Sequence, residues 1–148
     1  MSKPDDLPFA LTHKVRDTCL CLHIQRAARA VARRYDEALR PLKLTNGQFS
    51  LMMSLNRPEP ASIGQVSALL GVDRTTLTAN LKPLERRGLV KGATDDADRR
   101  SRLMTLTPAG RKLLAAAVPI WERAQAANER LVAGSDPDRL RADLRGLS

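Results

Sequence analysis

The chain has 148 residues and a formal net charge of +9, with 43% hydrophobic but only 3% aromatic residues. This length is typical of one domain (residues 1–148), and the scarcity of aromatic residues favours helices that pack through Leu, Ala and Val. The charge favours a polyanionic partner, either a nucleic acid or an anionic membrane surface. The longest apolar stretch, Leu113 to Trp121, is far shorter than the roughly 20 residues of a membrane span, and no targeting segment is visible, so we expect a cytoplasmic protein.

The N-terminal part of the chain is predicted to be a polar arm followed by one long helix. Residues 1 to about 10 form the arm. From Leu11 to Leu39 there is no Gly or Pro, and apolar residues recur at helical spacing until Arg40-Pro41, where the proline ends the helix. So long a helix cannot bury its whole apolar side against so small a chain, and a partner helix is therefore implied.

Two capping boxes then predict the starts of two short helices. Thr45 with Gln48 opens the first, whose sequence is nearly all apolar and should lie in the core. Ser62 with Gln65 opens the second, and Gly71 is the glycine with which helices commonly end. We therefore expect a tight turn at this glycine and a new helix beyond it.

A third helix is predicted from the N-cap Asp73 to Gly88. Its buried stripe consists of leucines at spacings of four and three, Leu77, Leu81 and Leu84. The opposite side is polar or small, with Thr75, Thr78, Ala79, Lys82 and Arg86 along it and Arg74 and Thr76 beside them at the first turn. Pro83 removes one backbone hydrogen bond, so we expect a kink or a tighter turn near it.

Two short strands, Leu89–Lys91 and Arg102–Leu106, are predicted to form a hairpin whose loop is rich in Asp and Arg. A short helix, a tight turn, a second helix with a polar outer face and a basic hairpin together predict a winged helix-turn-helix over residues 45–106. This module reads duplex DNA. The expected fold class is therefore mainly α with a small β-hairpin wing.

The C-terminal part of the chain is predicted to be helical. Thr107-Pro108 is a strong helix start, because threonine caps a helix well and proline suits the first helical position. One helix should run from Ala109 to about Val132 with a bend at Pro119, and a last one from Asp138 to Leu147. We expect these flanking helices to hold or pair the DNA-reading lobe.

Four motifs stand out in the sequence: Leu44-Thr45-x-x-Gln48-Phe49, Leu69-Leu70-Gly71-Val72-Asp73-Arg74-Thr75-Thr76, Leu84-Glu85-Arg86-Arg87-Gly88-Leu89-Val90, and Asp98-x-Arg100 with Leu106-Thr107-x-x-Gly110. With the order of helices, they resemble the MarR family of bacterial winged-helix transcription regulators, from about Cys19 onward. The resemblance implies an obligate homodimer whose first and last helices (residues 11–40 and 109–147) interlock. It also implies a pseudo-palindromic DNA operator, and repression relieved by a small ligand or an oxidant. Pro83 departs from the family's recognition helix, where a polar residue is typical.

Candidate DNA-binding residues lie on the third helix and in the wing. On the helix, Arg74, Thr75, Thr76, Thr78 and Lys82 are predicted to face base edges and phosphates in the major groove. In the wing, the candidates for the adjacent minor groove, whose negative potential attracts guanidinium groups, are Arg99, Arg100 and Arg102. Asp98 suits the orientation of an arginine better than a DNA contact, because phosphate repels a carboxylate. The simpler alternative in both places is a solvated polar surface.

Cys19 and Cys21 lie too close in sequence for an ordinary disulfide, so we expect free thiols. Each is either a small hydrophobic residue of the interior or a redox sensor with an accessible thiolate. By resemblance, Cys21 falls at the sensing cysteine of the family's organic-hydroperoxide branch, and Tyr35 at one of its two assisting tyrosines. Asn46 occupies the position of the second tyrosine, which leaves the sensor set incomplete.

Other functions have less support in the sequence. His23 and Cys19 could share a metal on one helix face, but no further ligands cluster with them, so no metal or cofactor is expected. A thiol enzyme is a second hypothesis, without a catalytic constellation to assist it, and we expect a protein that is not an enzyme. A non-specific architectural DNA-binding protein is the third. Trp121 and Met52-Met53 either line an effector pocket or belong to the core.

Overall fold

A computed structural model describes residues 7–148 of the chain. Two units are distinguished within the chain, one that ends at Arg34 and one that comprises Tyr35–Ser148. The predicted polar arm lies mostly outside the described residues, and its last part, from Phe9, is already helical. Within residues 7–148, no helix combines the length and the apolar character that a bilayer span requires.

The first helices differ from the prediction at Cys19. The sequence predicts one helix over 11–39, whereas the structure has α1 (Phe9–Thr18) and α2 (Leu20–Leu39), with Cys19 in an extended conformation (φ −68°, ψ 110°). The hydroxyl of Thr18 donates to the carbonyl of Lys14 at 2.6 Å, a side-chain bond that competes with regular helix geometry. Nδ1 of His23 lies 2.7 Å from the carbonyl oxygen of Cys19. Side-chain hydrogen bonds therefore surround the break, and no Gly or Pro marks it.

The helices of the second unit begin at the predicted caps. After a single 3-10 turn at Arg40–Leu42, the unit contains α3 (Asn46–Ser54), α4 (Ile63–Leu70) and α5 (Arg74–Arg86). Both capping boxes are formed, because Thr45 and Ser62 accept from the backbone amides of Gln48 and Gln65 and the two glutamine side chains accept in return. Gly71 ends α4 in the left-handed region with φ 65°. The turn between α4 and α5 is thereby confirmed.

The wing is a small antiparallel sheet of β1 (Ala61–Ser62), β2 (Val90–Thr94) and β3 (Arg102–Leu106), in the order β1-β3-β2. The strand β2 continues beyond the predicted end at Lys91, because Gly92 and Ala93 pair with Met104 and Leu103 of β3. The strand β1 is absent from the prediction. It has only two residues, too few for an alternating pattern to be recognised.

The C-terminal helices are α6 (Pro108–Leu131) and α7 (Pro137–Arg145), within one or two residues of the predicted bounds. The core of the second unit lies where α3, α5, α6 and the wing sheet meet. The predicted stripe of α5 is confirmed, since Leu77, Leu81 and Leu84 are at most 2% exposed. Burying a leucine side chain contributes about 1.5–3 kcal/mol, so this stripe fixes which face of α5 remains outside.

Candidate nucleic-acid interface

The outer face of α5 is exposed and lined by five of the residues named from the sequence. A shallow open recess on this face is bordered by Arg74, Thr75, Thr78, Ala79 and Lys82. Within residues 7–148, the side chains of Arg74 and Lys82 make no hydrogen bond or ion pair. The helix therefore presents uncompensated positive charge on the side opposite to its leucine stripe.

The three threonines of α5 differ in the hydrogen bonds of their side chains. Thr76 donates to the N-cap carboxylate of Asp73 from its backbone amide at 2.7 Å and from its hydroxyl at 3.0 Å. The hydroxyl of Thr78 donates to the carbonyl of Arg74 at 2.8 Å. The hydroxyl of Thr75 has no partner among the described residues. Of the three hydroxyl groups, this one is free to donate to another molecule.

The N-cap of α5 is stabilised by charge. The backbone amide of Thr76, followed by its hydroxyl, holds the pKa of the Asp73 carboxyl below its usual value. The carboxylate therefore remains ionised at neutral pH, where it complements the positive end of the helix dipole. Its role is to fix the first turn of α5, on which the outward-facing Arg74 and Thr75 are carried.

One ion pair joins the wing to α5. Nη2 of Arg102 lies 3.4 Å from Oε2 of Glu85, and the same guanidinium lies across Gly92, where an added Cβ would come within 2.4 Å of that nitrogen. The sequence proposes Arg102 as a third arginine for the minor groove. In the structure its half-exposed guanidinium contacts Glu85, because the pairing of β2 with β3 places it above a residue without a side chain, and its contact with DNA stays a prediction.

The tip of the wing is ordered by two aspartates. Asp95 and Asp98 accept the backbone amides of Ala97 and Arg100 at 2.9 and 3.0 Å, and these are Asx-turns. The backbone amide of Ser101 donates to the carbonyl of Asp98 at 2.9 Å and closes the loop. Asp98 thus positions the backbone of Arg100, and it makes no hydrogen bond or ion pair with the guanidinium of Arg100. Neither Arg99 nor Arg100 has a side-chain partner within the part of the chain that the structure describes.

Contacts at the base of the wing explain the threonine and the glycine of the Leu106-Thr107-x-x-Gly110 motif. The hydroxyl of Thr107 donates to the carbonyl of Gly88 at 2.6 Å and accepts the amide of Gly110 at 3.0 Å. A Cβ at Gly110 would lie 2.0 Å from the carbonyl oxygen of Leu89, which is backbone and cannot move aside. Thr107 therefore caps α6 and ties it to the end of α5, and only glycine allows the helix to pass so close to β2.

Arg87 is a structural residue that the sequence does not single out. Its guanidinium donates to the carbonyls of Lys43 at 2.7 Å and Leu42 at 3.1 Å, at the end of the 3-10 turn. Lys43 there has a left-handed conformation with φ 54°. No sequence pattern distinguishes Arg87 from its neighbour Arg86, because the two carbonyls come from a segment far away in the chain.

The proposed redox residues Cys21 and Tyr35 are found in different units of the chain. Cys21 is exposed on α2, and its Sγ accepts a hydrogen bond from Nε2 of Gln25 at 3.3 Å. In the second unit, Tyr35 donates to Oε1 of Gln125 at 2.5 Å, and burial raises the pKa of its hydroxyl, with a smaller contribution from the charge of Glu129.

The second tyrosine position has a different role here. The backbone amide and the side-chain amide of Asn46 both donate to Oδ1 of Asp36, at 2.7 and 2.8 Å. This asparagine therefore helps to fix the start of α3. Among residues 7–148, no group of three or more His, Cys, Asp or Glu side chains is placed to hold a metal ion. His23, which the sequence offers with Cys19 as a pair of metal ligands, contacts the backbone carbonyl of Cys19.

An apolar groove of about 530 Å³ lies between α3, α4 and α6, with Phe49, Met53, Leu69, Val118 and Trp121 among its lining residues. The rings of Phe49 and Trp121 stack with their centroids 6.3 Å apart. Of the residues considered for an effector pocket, Met53 and Trp121 line this groove, whereas Met52 is fully buried in the core.

Taken from α4 to β3, these elements define a winged helix-turn-helix. A sequence model of the MarR family matches residues 44–101. The crystal structure of the M. tuberculosis transcriptional regulator MosR in complex with DNA is 40% identical, with a TM-score of 0.78 over 88% of this chain and 93% of that one.

Two curated relatives are also similar to this chain. The organic hydroperoxide resistance transcriptional regulator of Bacillus subtilis is 30% identical over 108 residues, or 73% of this chain and 74% of the relative. TtmR of Methylorubrum extorquens is 36% identical over 97 residues, or 66% of this chain and 50% of the relative. This chain spans about half the length of the first curated relatives, between 43% and 58% of each. All of these relatives are transcriptional regulators, and the chain belongs to the MarR family.

Proposed function

We propose that this chain is a sequence-specific, DNA-binding transcriptional repressor that acts as a cytoplasmic homodimer on a pseudo-palindromic operator. The proposal rests on one observation. Arg74 and Lys82 on α5 and Arg100 at the wing tip are exposed cations without side-chain partners within residues 7–148, and they are carried by two elements joined through the ion pair of Arg102. Such an arrangement suits a helix in the major groove and a hairpin beside it. Arg99, which is also exposed at the wing tip, is proposed as a second contact of the wing with the minor groove.

Exposed apolar side chains support the homodimer. In the first unit, Phe9, Val15 and Leu20 are more than half exposed, and in the second unit Leu131 and Leu147 are too. A second copy of the chain that covered these side chains would remove their apolar area from water, which is favourable. A dimer would place two copies of α5 about 34 Å apart, one turn of B-DNA, and would therefore read both halves of a pseudo-palindrome.

The proposal is tested with the whole chain, by measuring its affinity for duplexes from the region upstream of its own coding sequence and for random duplexes, at two salt concentrations. We expect preferred binding to one upstream sequence, and affinity that falls steeply with salt because several phosphates are neutralised. The double variant Arg74→Ala/Lys82→Ala should lose this preference. Arg139→Ala, which removes an exposed arginine paired with Asp143 at 3.3 Å on α7, is the matched control and should retain it. Equal affinity for upstream and random DNA would instead support a non-specific architectural protein.

The trigger that relieves repression is proposed in two forms. The apolar groove at Phe49 and Trp121 has the size and the lining for a small, largely apolar ligand. The alternative trigger is a hydroperoxide, and the exposed Cys21 thiol favours it. In that reaction the thiolate attacks the O–O bond, so that thiol and hydroperoxide become sulfenic acid and alcohol, and the thiol is oxidised as the peroxide is reduced.

The oxidant form is tested by treating the wild type, Cys21→Ser and Cys19→Ser with an organic hydroperoxide and measuring DNA binding and protein mass. We expect the wild type and Cys19→Ser to gain one oxygen atom and lose affinity, while Cys21→Ser keeps its affinity. If Cys21→Ser responds like the wild type, or if none of the three responds, then Cys21 is not the trigger.

A further inference from the structure

Four residues form a stripe along the outer face of α5. Thr75, Thr78, Ala79 and Lys82 lie at positions i, i+3, i+4 and i+7, so they share one side of the helix, and all of them border the same recess. The hydrogen bonds of this stripe determine which chemical groups can contact another molecule.

The hydroxyl proton of Thr78 is already used. It is donated to the carbonyl oxygen of Arg74 at 2.8 Å, within the helix. The acceptor atoms that bases present in the major groove, such as N7 and O6 of guanine or O4 of thymine, require a donor, which Thr78 cannot supply without breaking this bond. Thr75, one turn earlier, has no such bond and keeps its donor.

Apart from the hydroxyl of Thr78, whose proton is donated within the helix, the side-chain groups at the centre of the stripe are apolar. Thr78 contributes its methyl group, and the exposed Ala79 beside it contributes another. Arg74 precedes this pair and Lys82 follows it, so two cations that suit phosphate or guanine flank a small apolar surface. The apolar group that the four ordinary bases present in the major groove is the C5 methyl of thymine.

We propose that the methyl group of Thr78, which lies beside Ala79 on the stripe, contacts the C5 methyl group of a thymine in each operator half-site, and that Thr78 thereby determines specificity at that position. The inference rests on the proposed DNA-binding function and names the base that this part of α5 selects. One methyl group is involved, so the discrimination is modest, about fourfold in affinity, the contribution of one buried methylene-sized group.

The test changes the DNA before it changes the protein. A duplex is selected by the wild-type chain from a random-sequence library, and each thymine of the selected site is replaced in turn by deoxyuridine, which keeps the O4 acceptor and the base pairing and lacks only the methyl. We expect one position in each half-site at which deoxyuridine weakens binding about fourfold, the value of the lost methyl contact.

Three variants then assign this effect to a chemical group. Thr78→Ser keeps the hydroxyl that bonds Arg74 and deletes the methyl, so it should bind thymine and deoxyuridine duplexes equally. Thr78→Val deletes the hydroxyl and keeps a methyl, so it should still prefer thymine. Thr75→Ser removes a methyl from the same stripe one turn away and should leave the thymine preference at that position intact.

The results separate this inference from the function on which it rests. If the selection enriches no sequence, the sequence-specific function fails. If a site is enriched but no deoxyuridine weakens binding, or if Thr78→Ser retains the thymine preference, the methyl contact is overturned while the function stands. A preference that Thr78→Val loses and Thr78→Ser keeps would assign the reading to the hydroxyl instead.

Discussion

The base and the tip of the wing belong to one hairpin but use their polar groups differently. At the base, the hydroxyl of Thr107 bonds both Gly88 and Gly110, and the carbonyl of Leu89 leaves no space for a side chain. At the tip, the aspartates bond the backbone, while Arg99 and Arg100 have no side-chain partner within residues 7–148. The base therefore carries residues that fix geometry, and the tip presents charge on a fixed backbone. Variants at the two ends should consequently separate stability from DNA affinity.

The largest effect is expected at the base. Gly110→Ala places a Cβ 2.0 Å from the carbonyl oxygen of Leu89, so the start of α6 and β2 must move apart. We expect the free energy of unfolding to fall by about 3 kcal/mol, as for overpacking against a rigid neighbour, measured by urea denaturation. Gly134→Ala is the matched control, because nothing lies within 4 Å of the added Cβ. Equal stability of the two variants would contradict the close approach.

At the tip, Arg100→Ala should change binding and leave the fold intact. The guanidinium has no partner within the described residues, so its removal should leave the thermal midpoint unchanged and weaken operator binding about tenfold, the value of one charge-assisted contact. The salt dependence of the affinity should also decrease. Arg102→Ala, which removes an arginine of the same hairpin paired with Glu85, is the control and should weaken binding less. Dissociation of the proposed homodimer in Arg100→Ala would reassign this residue to structure.

Arg87→Ala should show the opposite behaviour to Arg100→Ala. It removes two hydrogen bonds to the carbonyls of Lys43 and Leu42, and with them the attachment of the 3-10 turn to the end of α5. We expect a loss of about 1 kcal/mol in unfolding free energy, since the guanidinium is exposed, and operator affinity close to that of the wild type. The neighbouring Arg86→Ala serves as the control for stability. If both variants unfold at the same urea concentration, the two hydrogen bonds of Arg87 do not stabilise the fold.

The smallest effect is expected at Asp98, whose carboxylate fixes the backbone that carries Arg100. Asp98→Ala loses the acceptor for the Arg100 amide and should weaken operator binding about threefold, the value of one modest hydrogen bond. Asp98→Asn keeps a carbonyl acceptor at the same place and should bind like the wild type. If Asp98→Asn binds much more tightly than the wild type, repulsion between the carboxylate and phosphate outweighs the turn.

The parts of the fold that the sequence predicts correctly depend on residues that are close together in the chain. The caps at Thr45, Ser62 and Asp73 and the left-handed Gly71 depend on residues at most three positions away. The break at Cys19 is also local, but the sequence does not predict it. The hydrogen bonds beside it come from Thr18 and His23, and Thr and His side chains also occur within continuous helices. The two-residue β1 was missed because its partner β3 lies far away in the chain.

The candidate site was predictable as a list of residues, but not as a set of roles. The leucine spacing of α5 identifies its outer face, and the composition of the loop identifies the arginines of the wing tip. The sequence does not distinguish Thr75 from Thr76 and Thr78, or Arg100 from Arg102, since these differ only in the groups that folding brings to them. The DNA contacts of all these residues stay predictions.

The winged helix-turn-helix is readable from the sequence, because helix caps, leucine spacing and the glycines at turns act over a few residues; the family is indicated by the resemblance of the four motifs. The contact of Arg102 with Glu85 and the close approach of Gly110 to Leu89 depend instead on how the chain packs. Hydrogen bonds and steric contacts depend on distances of a few ångströms between segments far apart in sequence. Those distances follow from how the core packs α5, α6 and the wing together, and no local pattern encodes them.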